Sequence, residues 1–183
     1  MISDIFIISG FGFIDPILAI FFKENLIGGT IFAAGLAGSL FLVTKSLVQL
    51  PFSRHVDNNN YATNLRWLIL GACLVSIVPF IYIFAKHIYV IYVAQVLQGL
   101  GSGLAYPAWL GLWSTHLDKN RESFEWSLYS TLVGVGSAIT AALGASLAQF
   151  VGFTATFTAV GVCSLLGVGI LMFLIKEKAR LAQ

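Results

Sequence analysis

Two ionisable side chains sit among neighbours that offer them no water. Asp15 lies in "SGFGFIDPILAIFF", Ser9 to Phe22, and Lys45 in "FLVTKSLVQL", Phe41 to Leu50. In a bilayer an aspartate at helix centre costs about 2.5–3.5 kcal/mol, so it turns toward a bundle interior or a cavity and takes a partner. Asp15 is about eleven residues into its helix and Lys45 about eight from the same end of its own. At 1.5 Å per residue their depths differ by about 5 Å, within side-chain reach. Such a pair can bind a proton or a cationic group, with a pKa set by burial and by the neighbouring charge. Alternatively it is a fixed ion pair that orders two helices.

A second set repeats at helical spacing. Gln95, Gln98, Ser102, Tyr106, Trp109 and Trp113 fall at i, i+3, i+7, i+11, i+14 and i+18, one face of one helix. Gln49 stands one turn from Lys45 and shares its face, as does Gly38 two turns back. Amides, hydroxyls and indoles suit an amphipathic organic molecule through stacking, cation–π contact and hydrogen bonding. The competing reading is hydrogen bonding between helices plus an interfacial aromatic belt. Catalysis finds no support. Ser102 in "GLGSGLAY" lacks the G-x-S-G frame, and His55, His87 and His116 lie in loops or at span ends. Cys73 and Cys163 have no metal-ligand spacing and read as small apolar residues rather than a disulfide. No metal and no cofactor is expected.

The surroundings decide the solvent. The chain has 183 residues, 58% hydrophobic and 10% charged, with mean hydropathy +0.89. A soluble domain carries about 25% charged residues, so this is an all-α membrane protein. Apolar runs of spanning length occur at about 4–22, 29–52, 66–85, 88–113, 124–149 and 153–175, each near the ~20 residues a bilayer requires. The start, "MISD", has no basic n-region and no small-residue cleavage site follows, so it reads as a mature terminus. With both termini on one side, that side holds Arg54, Arg66, Lys119, Arg121, Lys176, Lys178 and Arg180, against Lys23 and Lys86 on the other. That bias puts both termini in the cytoplasm and the chain in the plasma (inner) membrane. The net charge of +2 reflects those loops, and nucleic-acid binding has no support.

The six spans divide into two triplets. "GFGFIDP", Gly10 to Pro16, and "GSGLAYP", Gly101 to Pro107, share G-x-G-x-x-x-P, each in the first helix of its triplet. Three spans per unit force the second unit to be inverted, a recurrent plan in transporters with sites near the midplane. With 18 glycines in the chain, a chance match is the alternative. The reading is one domain over 1–183: repeat one at about 1–85, repeat two at about 88–175, and a cytoplasmic tail 176–183. Gly136, Thr140, Gly144 and Ala148 form a small-residue ridge on the fifth span, suited to close helix packing.

These features resemble one half of a major facilitator superfamily (MFS) transporter, over the whole chain. "GFGFIDPIL" is similar to that family's glycine-bearing, proline-ended first helix. The family motif G-x-x-x-D-R-x-G-R-R falls on "LPFSRHVDNNN", with Ser53 at the glycine, Asp57 at the aspartate and Asn58 at the following arginine. R-x-x-Q-G-x-G falls on "QVLQGLG", keeping Gln98, Gly99 and Gly101, with Gln95 at the arginine. The antiporter pattern G-P-x-x-G falls on "TAALG", with Thr140-Ala141 at Gly-Pro. These losses set the chain apart from the drug/proton antiporters.

The resemblance implies alternating-access transport of a small amphipathic solute, with the first and fourth helices lining the cavity. It gives the loop residue Asp57 a gating role, capping a helix of the opposite half; a solvated loop carboxylate is the alternative. Family members have twelve spans, so a parallel homodimer with its two-fold along the membrane normal would complete the fold. A second, different half and a non-transporting scaffold or accessory subunit are the other readings.

Overall fold

The computed structural model describes residues 14–114 and 121–181, with side chains described for 14, 16–112, 121 and 123–173. Among the described residues six helices follow one another: α1 Asp15–Glu24, α2 Ile31–Asp57, α3 Tyr61–Phe84, α4 Ile88–Ser114, α5 Glu122–Phe150 and α6 Phe153–Leu181. Five of them, α2 to α6, are long and apolar enough to cross a membrane. Residues 1–13, which hold most of the expected first span and both glycines of "GFGFIDP", lie outside the described residues. Pro16 occupies the first turn of α1, where its missing N–H costs nothing. Pro107, its counterpart, stands inside α4.

Short connections make successive helices antiparallel, so two ends of the bundle can be distinguished. At one end the α1–α2 and α3–α4 connections pair: Ile27 N–H donates to the Lys86 carbonyl (2.9 Å) and Ile88 N–H to the Ile27 carbonyl (3.1 Å). Gly28, at φ +80°, makes the turn that allows it. The main core lies near this bridge end, where Phe21, Phe22, Tyr82 and Phe157 bring α1, α3 and α6 together. Phe21 meets Phe157 edge-on at 4.8 Å, and Tyr82 meets Phe157 at 5.4 Å. A smaller cluster of Val56, Leu65, Leu68, Ala108 and Leu171 closes the opposite, Asp57 end.

Two boundaries differ from the sequence expectation. Asp57, expected in a loop, is the last residue of α2. The helix persists because asparagines take over its final carbonyls: Asn58 donates to Arg54 (2.9 Å), Asn59 to His55 (2.7 Å) and Asn64 to Val56 (3.0 Å). Asn60 then accepts from Thr63 N–H (2.9 Å) as N-cap of α3. The tail expected after the sixth span is helix as far as Leu181.

α4 is the central helix, in close contact with both α2 and α3. Glycine permits this on two faces. A Cβ at Gly101 would lie 2.8 Å from the Gly71 carbonyl of α3, and one at Gly103 would lie 2.8 Å from Val48 Cβ of α2. Apolar tails surround membrane helices on all sides, so approach of this kind supplies much of the association. On α5 the expected ridge is the least exposed line, with Gly144 buried. The rest of α5 stays open, as does α2: 6% and 11% of their apolar windows are buried, against 44% in α3, α4 and α6.

Candidate functional site

The polar stripe on α4 divides. At the bridge end Gln95 and Gln98 are 4% and 8% exposed. Tyr82 of α3 holds both: its hydroxyl donates to Gln98 Oε1 (3.1 Å) and accepts from Gln95 Nε2 (3.0 Å). Tyr82, absent from the sequence reading, is itself buried among aromatic rings, so the three groups form a closed polar knot inside the apolar core. Ser102 is half-buried midway along the stripe.

Beyond Ser102 the stripe opens. Tyr106 is 41% exposed and lines a cleft of about 600 Å3 between α2 and α4. Its walls are Ser46, Gln49, Leu50, Ser53 and Asp57 from α2, and Tyr106, Pro107, Leu110 and Gly111 from α4. The α2 residues are spaced i, i+3, i+4, i+7 and i+11, a single helical face. The volume lies in the range of small-molecule sites, about 300–1,000 Å3. Lys45, half-buried, places its ammonium 4.8 Å from the centre of the Tyr106 ring, a cation–π contact.

Trp109 turns another way. Its ring packs against Tyr106 (6.0 Å) and reaches across to Tyr129 (5.3 Å) and Trp126 (6.2 Å) on α5. This aromatic link between α4 and α5 was also missed in the sequence, although Trp126 and Tyr129 are one turn apart there.

The structure thus gathers Gln49, Tyr106 and Asp57 around one cleft, adds Ser46 and Ser53, places Lys45 beside it over the Tyr106 ring, and sets Gln95 and Gln98 apart. The side chains of Asp15 and Trp113 lie outside those described, so the expected Asp15–Lys45 pair does too. Among the described residues Lys45 meets no carboxylate, and Asp57 has no ion-pair partner. No group of histidine, cysteine and acidic residues among the described ones could hold a metal. Cys73 and Cys163 are both free thiols.

Known proteins bear on this geometry in two ways. A "Proton-coupled antiporter flippase LtaA" from Staphylococcus epidermidis is 27% identical over 101 residues, 55% of this chain and 25% of that protein. The protein of the same name from Staphylococcus saprophyticus is 26% identical over 104 residues, 56% of this chain and 26% of its own length. The matched segment therefore spans about a quarter of each relative. The family model described as Major Facilitator Superfamily matches residues 1–183. An all-helical bundle, membrane-spanning helices and a match over the full sequence agree: this chain is an integral membrane protein of the Major Facilitator Superfamily, with the fold of one half of such a transporter.

Proposed function

We propose that the chain forms one half of a transporter that moves a small amphipathic organic solute by alternating access, coupled to protons. The cleft carries this reading. It gathers polar groups, from Ser46 to Asp57, along the facing sides of two helices whose other exposed residues are mostly apolar. Polar side chains in such positions are expensive and mark substrate or ion pathways. The names of the Staphylococcus relatives support an amphiphile as cargo and the proton as coupling ion.

In this scheme Asp15 takes up the proton and Lys45 responds to its charge. Gln49 and Tyr106 contact the solute, and Gln95, Gln98, Ser102, Trp109 and Trp113 belong to the same helical face as Tyr106. Asp57 favours one conformation by meeting a helix N-terminus of the opposite half. That half is a second copy of this chain in parallel orientation, which would cover the open apolar faces of α2 and α5. Both termini lie in the cytoplasm, following the lysine and arginine bias.

Two measurements test the scheme. In liposomes, the protein should move a short-chain NBD-labelled amphiphile between leaflets under an imposed pH gradient, read by dithionite quenching. Asp15→Asn should lower the pH-dependent rate by about tenfold or more, equivalent to at least ~1.4 kcal/mol of barrier. A rate still fully pH-dependent removes Asp15 from the coupling, and no movement above protein-free liposomes removes the transporter reading. The mass in lipid nanodiscs should equal two chains; one chain rules out the homodimer.

A further inference from the structure

One end of the cleft carries hydrogen-bond donors that lack acceptors among the described residues. Ser39, Ser76, Ser127 and Ser146 each donate to a carbonyl one turn back in their own helix. Ser46 makes no such bond, and neither Ser46 nor Gln49 has any hydrogen bond among the described residues. Among the described residues the Lys45 ammonium, with three donors, meets only the Tyr106 ring face. Ser53 differs, because its hydroxyl proton goes to the Leu50 carbonyl (2.8 Å) and only its lone pairs remain.

Charge is arranged unevenly along the groove. The only carboxylate among the lining residues, Asp57, stands twelve positions after Lys45 on α2, about 18 Å away at 1.5 Å per residue. Asp57 therefore stands at the far end of the groove from Ser46. An organic cation finds the exposed Tyr106 face already taken by Lys45. An oxyanion finds a positive charge, an amide and two hydroxyls, which is the donor set such groups are bound by. Leu50, Pro107 and Leu110 extend the same cleft with apolar surface.

We propose that the end of the α2–α4 cleft lined by Ser46, Gln49 and Tyr106, with Lys45 beside it over the Tyr106 ring, binds the anionic headgroup, phosphate or carboxylate, of an amphiphile whose apolar part lies along Leu50, Pro107 and Leu110. Lys45 supplies the charge, and Ser46, Gln49 and the Tyr106 hydroxyl supply hydrogen bonds. This deepens the reading of the cleft as an amphiphile pathway and rests on it.

The test is calorimetric titration of the purified protein in maltoside micelles with dihexanoyl phosphatidic acid. Binding should be saturable. Lys45→Met should weaken it about tenfold or more, Gln49→Leu about fivefold, and Lys45→Arg by no more than about threefold, as expected for charge-assisted and neutral hydrogen bonds. Each variant is first shown to elute as the wild type does and to melt at a similar temperature. Equal affinity in wild type and Lys45→Met overturns the proposal. So does inorganic phosphate competing as well as the lipid, which would make this a free-anion site. Dioctanoylglycerol binding as tightly as phosphatidic acid would show that charge is not read, and overturns it too. NBD-amphiphile movement without phosphatidic acid binding defeats this proposal and leaves the transporter reading standing.

Discussion

At the bridge end of α4, two glutamine amides close on the Tyr82 hydroxyl and leave almost nothing exposed. Little more than two turns along the same face, Tyr106 looks into a cleft where Ser46 and Gln49 have no partner among the described residues. One stripe of similar residue types therefore serves two ends. In the first half the polar groups satisfy one another and fix how α3 meets α4. In the second half they remain available to something else. A polar residue in a membrane helix marks a site only when its hydrogen bonds are still unmade.

The largest effect is expected at the seam that both halves share. Gly101→Leu forces a side chain into the Gly71 carbonyl and should destabilise the bundle by about 3 kcal/mol or more, read as lost monodisperse protein. Gly38→Leu projects into open space and should stay within about 0.5 kcal/mol. Similar behaviour of the two would mean that the α3–α4 contact is not close.

A smaller effect is expected at the sealed half. Tyr82→Phe leaves two buried amides without the hydroxyl between them, at a cost of about 1–3 kcal/mol by denaturant unfolding in micelles. A change below about 0.5 kcal/mol would show that the amides find other partners and that the two halves differ less than described. A smaller loss of stability than at Tyr82 belongs to the open half. Lys45→Met removes one half-exposed cation–π contact, so it should cost less than about 1 kcal/mol while abolishing the function of the cleft. A large loss of stability there would make Lys45 a structural residue.

The second to sixth spans were legible because twenty apolar residues in a row admit few structures. The end of α2 was not. "SRHVDNNN" reads as a polar loop, yet outside the apolar core a helix needs only its carbonyls satisfied, and the asparagine side chains do that. The stripe on α4 was visible as a periodicity, but a period names a face and not its partner. Nothing in one helix reveals that Tyr82 of another will bond two of its six members. Ser46 and Ser53 escaped for a related reason: serines in membrane helices usually bond back to their own backbone, so their type alone carries no signal.

The pairing of Ile27 with His87 also bears on the order of events during synthesis. The two residues are 60 positions apart, and at ~5–20 residues per second the ribosome takes roughly 3–12 s to cover that interval. Until then the connection between α1 and α2 waits with the Ile27 carbonyl and N–H unclaimed by protein. The connection between α1 and α2 is therefore closed only after the connection between α3 and α4 has been made.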